Sequence, residues 1–242
     1  MNAVSLDTDV YVPPRTYRKF VAPATLVVER ERGFREVICI ADADPMAHEE
    51  IGKHLAQLGR PIVSATSAAE CMAVLDEDHT SCVIINAFLP DASGLDLQKR
   101  IAANGNPPVI FLSDHHDVSL TVAAMKAGAL EFLTKPINLE LLRVAVENAL
   151  LQSHKMRQRK VELTRLQQRF QLLTPRERDV LPLVVGGLPN KQAASILGIS
   201  EVTLQVHRGQ VMRKMQADSL ADLVRMALKL RIPYWKQEAD SF

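Results

Sequence analysis

NKQAASILGISEVTLQVHRGQVMRKM, residues 190–215, reads as a helix, a tight turn and a second helix. Asn190 is suited to cap the first helix, which runs to about Leu197, Gly198 supplies the turn, and Ser200 caps a longer helix over about 201–216. Ala194, Leu197, Ile199, Leu204, Val211 and Met215 fall where the two helices can share one core. The other side of the second helix presents Val202, Gln205, Val206 and Gly209, with Arg208 and Arg213 on its shoulders. Short and amide-bearing side chains flanked by cations suit the major groove of double-stranded DNA, where Gln pairs with adenine and Val meets the thymine methyl. Lys191, Thr203, His207 and Lys214 suit phosphate contacts, which position a protein without reading sequence. Gly209 costs about 1 kcal/mol relative to Ala in a helix interior. Close approach to another surface and simple tolerance both account for it. A plain four-helix bundle is the competing reading of the segment.

Outward from this stretch, the C-terminal region is helical and strongly punctuated. Thr174-Pro175-Arg176-Glu177 has the form of a capping box with Pro at the first helical position, and Gly186-Gly187 ends that helix. Ser219 and Asp222 begin a last helix that reaches about Leu230 before Pro233. Four short helices are therefore expected over 173–232, with a tail at 233–242.

Upstream, Gly and Pro are absent from Asn138 to Thr174. Met156, Leu163 and Phe170 recur every seven residues, with Leu166 and Leu173 at the intermediate position of the repeat. That stripe covers about two heptads, short of a full coiled coil. It predicts a helical linker over 151–172 in which Leu163, Leu166 and Phe170 help pair two chains. The basic cluster Lys155, Arg157, Arg159 and Lys160 reads as solvated surface.

Between residues 37 and 150 the pattern is different. VICIA (37–41), PIVSA (61–65), CVIIN (82–86), PVIFL (108–112) and LEFL (130–133) are short apolar runs separated by amphipathic stretches. Such alternation predicts βαβ units around a buried parallel sheet, an α/β flavodoxin-like (βα)5 domain with its functional groups at the carboxyl ends of the strands. Residues 1–36 show no clean periodicity and read as a poorly ordered extension; Tyr11, Tyr17 and Phe20 within it leave a partner-binding segment as the other reading.

Charge separates the two halves. Residues 1–149 hold thirteen Lys and Arg against twenty Asp and Glu, and residues 150–242 hold sixteen against eight. The net charge of +1 conceals an acidic front and a basic back, and a basic half suits a polyanion. No run approaches the roughly 20 apolar residues of a membrane helix, and the start lacks a secretory pattern. No membrane association is expected, and a cytoplasmic protein is. Cys39, Cys71 and Cys82 lack CxxC spacing and read as small core residues in a reducing compartment.

LTPRERDVL (173–181), GLPNKQAASILGIS (187–200) and TLQVHRGQVMRKM (203–215) resemble the LuxR-type helix-turn-helix of the NarL/FixJ response regulators, over about residues 172–230. The resemblance implies an all-α four-helix domain that binds DNA as a dimer. The last helix would supply much of the dimer contact, here through Leu220, Leu223, Val224 and Leu228.

VICIADADP, CVIINAFLPDASGLDLQ, PVIFLSDHHDV and AMKAGALEFLTKP resemble the receiver domain of the same family. Receivers hold magnesium with two acids after the first strand and accept a phosphoryl group on an Asp ending the third. Carried over, the resemblance reads the two-acid site as Ala41-Asp42 and the acceptor as Asn86. Ser113 takes the hydroxyl position, Lys135 the lysine and Phe132 the aromatic switch, and Lys135-Pro136 falls where receivers often have a cis peptide. With Ala41 and Asn86 in place, Asp42 alone would hold the ion weakly. Asp44 and Asp91 are the nearest candidate substitutes, and Asp114, His115, His116 and Asp117 form a loop that reads as surface.

The expectation is thus a DNA-binding regulator, paired as a homodimer, whose degenerate receiver acts without aspartyl phosphorylation, metal or cofactor. A histidine kinase or another regulatory protein is the expected partner. The alternative is a receiver-fold interaction protein that modulates such a kinase or regulator, with DNA binding secondary. No phosphate-binding loop, metal-ligand spacing or nucleophile elbow points to an enzyme.

Overall fold

A computed structural model describes residues 36–75, 79–103, 107–115 and 117–233. The expectations for residues 1–35, for His116 and for the tail beyond Pro233 lie outside these residues. Contacts divide the chain into two compact units after His154.

In the first unit, five parallel strands form one sheet in the order β2-β1-β3-β4-β5. They are β1 (Val37–Ala41), β2 (Ile62–Ala65), β3 (Thr80–Asn86), β4 (Val109–Ser113) and β5 (Glu131–Thr134). The helices between them are α1 (Pro45–Leu55), α2 (Ala68–Val74), α3 (Gly94–Ala103) and α4 (Val118–Lys126). After β5 comes α5 (Leu139–Gln171), a helix of 33 residues.

The strand residues alternate between two cores, as the period of two requires. Ile38, Ile40, Cys82, Ile84, Ile110 and Leu112 pack with α1 and α5. Cys39, Ala41, Val83, Ile85, Val109 and Phe111 pack with α2, α3 and α4. Every residue of β3 and β4 is buried, which explains why these strands read as unbroken apolar runs rather than alternating ones. The order of the strands reverses between β1 and β3, so a crevice opens where their carboxyl ends part.

In the second unit, α6 (Pro175–Val185), α7 (Asn190–Leu197), α8 (Glu201–Met215) and α9 (Leu220–Lys229) enclose a core of Val180, Leu181, Val184, Ala194, Leu204, Val211, Met215 and Leu223. Thr174 and Glu177 form the expected capping box, and Ser200 and Ser219 cap α8 and α9. Gly198 has φ +65° and turns the chain between α7 and α8, a conformation that suits Gly because it has no Cβ. The cap of α7 differs from expectation. Pro189 occupies the cap position, Asn190 is the first helical residue, and its side chain serves another purpose described below. Among the described residues, no helix is long and apolar enough to cross a membrane.

Candidate functional site

The strand ends bring together Asp42, which directly follows β1, Asn86 at the end of β3, Ser113 at the end of β4 and Lys135 just after β5. Asp42 is 1% exposed and Asn86 5%. One carboxylate oxygen of Asp42 accepts from Asn86 Nδ2 at 3.1 Å and from Lys135 Nζ at 3.0 Å. Its other oxygen accepts from the backbone N–H of Asp44 at 3.0 Å. Because a carboxylate only accepts, the amide nitrogen of Asn86 must face Asp42 and its oxygen must face away. That oxygen accepts from the Phe88 N–H at 3.1 Å. Burial pulls the Lys135 ammonium down, but its hydrogen bond to Asp42 and the charges of Asp42 and Asp114 prevail and hold it above its ordinary value. The Ser113 hydroxyl donates to the carbonyl of His115 and accepts from its N–H, so the β4–α4 turn occupies it.

Several expectations need correction. Ala41 ends β1 and packs inside the sheet core, so its side chain is not in the crevice. The residue after Asp42 on the loop is the exposed Ala43. Asp91 is no reserve ligand: its two oxygens accept from Ala68 N–H at 2.8 Å and Ala69 N–H at 2.9 Å. Those two bonds to the start of α2 hold its carboxyl below its ordinary range. Asp44 caps α1 through the Met46 N–H. Phe132 is half-buried and stacks on Phe111 with ring centroids 5.9 Å apart. The Lys135–Pro136 peptide is cis.

A magnesium ion, which a receiver implies, does not fit these donors. It requires several oxygen ligands at octahedral positions. The crevice offers one buried carboxylate, Asp42, whose two oxygens already serve an ammonium, an amide and a backbone N–H, while the exposed Asp114 is paired with the same ammonium at 3.5 Å. Among the described residues, His, Cys, Asp and Glu form no cluster of three or more placed to hold a metal.

Two residues escaped the sequence reading. His48 of α1 is buried, and its Nε2 lies 2.6 Å from the Asp42 carbonyl, so that nitrogen carries the proton and ties the helix to the crevice. Gly94 opens α3 so close to β3 that an added Cβ would lie 2.8 Å from the Asn86 carbonyl oxygen and 2.9 Å from the Phe111 ring. Nothing but its place in DASGLDLQ marked it.

In the second unit, Val202 is 74% exposed, and Gln205, Val206, Gly209, Thr203, Lys191 and Arg213 are exposed with it. His207 is half-buried. Thr203 shares a hydrogen bond with Ser200 at the start of α8. Arg208 is half-buried and donates to Asn190 Oδ1 at 3.0 Å, which joins α8 to α7. Lys214 does not face outward as a phosphate contact. Its Nζ lies 2.7 Å and 2.9 Å from the two oxygens of Glu177, which is buried at the start of α6. Burial favours the neutral acid, yet Lys214 and the Thr174 N–H and hydroxyl outweigh it and hold the Glu177 carboxyl below its ordinary value. Of the expected pairing residues, Leu163, Leu220 and Leu228 are exposed and Val224 is half-buried. Leu166 is buried, Leu223 is fully enclosed in the helical core, and Phe170 packs against that core under the Arg178 guanidinium. These three side chains are occupied within the chain and offer little to a partner.

Residues 38–147 match the response regulator receiver domain, and residues 171–227 match the bacterial regulatory proteins of the luxR family. The chain is 38% identical over 203 residues to nodulation protein W of Bradyrhizobium diazoefficiens, covering 84% of this chain and 89% of that protein. It is 33% identical to the transcriptional regulatory protein FixJ of the same organism, over 79% of this chain and 94% of that one. The chain belongs to the FixJ-type response regulators. A solved structure of the response regulator StyR, 35% identical, covers 81% of this FixJ-type chain and 99% of its own, with a TM-score of 0.72. The family joins a receiver to a DNA-binding helix-turn-helix domain, the order of the two units here. In this FixJ-type chain the strand-end crevice lies within the receiver match, and α7 and α8 lie within the luxR-family match.

Proposed function

We propose that this FixJ-type regulator reads a specific DNA sequence as a homodimer in the cytoplasm and does so without aspartyl phosphorylation of its receiver. One observation carries the proposal: the buried side chain that ends β3, facing Asp42 and Lys135, is the carboxamide of Asn86. A carboxylate attacks a phosphohistidine to form an acyl phosphate. A carboxamide has no charge and a poorly nucleophilic oxygen, and that of Asn86 is bonded to Phe88. The Asp42 carboxylate and the Asn86 carboxamide oxygen have hydrogen-bond partners without phosphate or cation.

The DNA-reading side chains on this account are Val202, Gln205 and Val206, with Gly209 allowing close approach. Lys191, Thr203, His207 and Arg213 lie on or beside the same exposed surface, and Arg208 is held to Asn190. The receiver, about 37–150, becomes a platform for pairing or for a regulatory protein. The exposed apolar residues Val118, Val122 and Met125 on α4 support that role. Residues 151–172 act as linker and 173–232 as the DNA-binding unit, with Leu220, Val224 and Leu228 of α9 facing the second copy. A protein that only modulates a kinase is not favoured, because α8 keeps an exposed reading face.

The test is to incubate the full chain with acetyl phosphate or a cognate histidine kinase and magnesium, and to follow phosphorylation and DNA binding. The expected result is no phosphorylated protein and unchanged affinity for DNA. A stable phosphoryl adduct in the crevice that alters dimerisation or DNA binding overturns the proposal.

A further inference from the structure

Cys39 of β1 and Cys71 of α2 face each other on the α2–α4 side of the sheet. Both are buried, and their Sγ atoms are 3.8 Å apart. Cys82 of β3 lies among the side chains of the opposite core, with Ile38, Ile84 and Leu142. The chain therefore holds one matched pair of thiols and one isolated thiol.

We infer that Cys39 and Cys71 form a reversible disulfide when the receiver meets a peroxide, a covalent modification of β1 and α2 that is independent of Asn86. A disulfide has an S–S distance of about 2.05 Å. The two sulfurs must close by a little under about 2 Å, through rotation about the Cα–Cβ bonds and whatever shift of α2 against β1 the bridge requires.

The pair is also chemically asymmetric. Either sulfur can donate in the neutral pair, and when Cys71 ionises the Cys39 thiol donates to it and stabilises the thiolate. That bond outweighs burial, and with help from the charge of Arg100 it sets Cys71 below the ordinary thiol value. The same bond, together with burial, pushes Cys39 well up. Burial pushes Cys82 up to about 12. Cys71 is thus the attacking sulfur and Cys39 the resolving one.

The Cys71 thiolate attacks one oxygen of hydrogen peroxide. The O–O bond breaks, hydroxide leaves and takes a proton to become water, and Cys71 is left as a sulfenic acid. Cys39 gives up its proton and attacks that sulfur. The S–O bond breaks, the S–S bond forms, and a second water departs. Two electrons pass from the two thiols to the peroxide, which is wholly reduced to water. Peroxide is a small oxidant, and α2 has only seven residues, so a local opening of that helix suffices to admit it. Cys39 stands three residues before Asp42, and the first turn of α2 is held by Asp91 from the loop after Asn86. A bridge between them joins two elements that frame the crevice.

The test uses the full chain, fully reduced, desalted and exposed to hydrogen peroxide under native conditions. The chain is then unfolded in denaturant containing excess N-ethylmaleimide, so that every remaining buried thiol is alkylated as it is exposed, and is proteolysed. Oxidation of the exposed Met46 serves as the control that peroxide acted. The expected result is a linked pair of peptides containing Cys39 and Cys71, a mass lower by two hydrogens, alkyl label on Cys82 alone, and reversal by dithiothreitol. Cys71→Ser is expected to leave both remaining thiols open to alkylation. Three alkylated cysteines in a chain whose methionine has been oxidised overturns the inference. So does a linkage through Cys82, or recovery of Cys71 as a sulfinic acid with no linked peptide. The wild-type map decides the matter even if the variant fails to fold.

Discussion

On the proposed reading, Asn86 and Ala43 stand where a receiver carries acids, and both leave negative charge out of one crevice. Restoring only one should therefore restore little. We expect Asn86→Asp alone to remain poorly phosphorylated by acetyl phosphate, because Asp42 still lacks the neighbouring acid that magnesium needs. Asn86→Asp combined with Ala43→Asp is expected to gain phosphorylation, read by mass spectrometry, and equal labelling of the single and double variants would count against the argument. Gly94 sets a steric limit nearby. Gly94→Ala forces a Cβ against the Asn86 carbonyl and the Phe111 ring, and should cost about 2 kcal/mol in urea unfolding as an overpacking change. On α8, Gln205→Ala is expected to lower discrimination at one base pair by about 1–3 kcal/mol while sparing non-specific binding. Lys191→Ala should instead weaken all sequences alike, which a comparison of operator and random DNA separates.

Among the elements, the joint between α6 and α8 is sensitive to acid. The Glu177 carboxyl titrates below its unfolded value, so its stabilisation is complete above the ordinary Glu range. It is lost as pH falls through the lower, folded value. Unfolding followed between about pH 6 and about pH 3 should show a drop that Glu177→Gln flattens, at a cost of about 2 kcal/mol near neutrality. A variant with the wild-type pH slope would remove Glu177 from this role. The elements themselves were largely legible in the residues. Five apolar runs and their spacing named the parallel sheet, and Thr174, Gly198, Ser200 and Ser219 marked helix boundaries, because capping chemistry is local. What escaped was set by partners distant in sequence. Lys214 looked like a phosphate contact on α8 until Glu177, 37 residues earlier, was seen to hold it. Asn190 looked like a cap until Arg208 claimed its oxygen. The seven-residue stripe on α5 was real as a pattern, yet Phe170 turned inward, since periodicity shows which face is apolar but not what covers it. Ala41 lies inside β1 and Ala43 in the loop just beyond it, and the residues alone do not mark where the strand stops.

For the whole molecule, the basic C-terminal half and the acidic front predict binding to DNA that weakens steeply with salt. A dimer making about six phosphate contacts should lose on the order of a thousandfold in affinity between about 50 and about 200 mM salt. Fluorescence anisotropy across that range checks it, and a flat profile would remove the electrostatic case. Leu228 is 59% exposed on α9, and Leu228→Glu is expected to shift sedimentation toward the monomer and weaken operator binding without unfolding the chain. The ammonium of Lys135 and the carboxylate of Asp42 already cancel one another inside the receiver. On the proposed reading, cellular stores of magnesium and of high-energy phosphate have no purchase there, and such a regulator answers chiefly to how many copies are made and to what meets its surface.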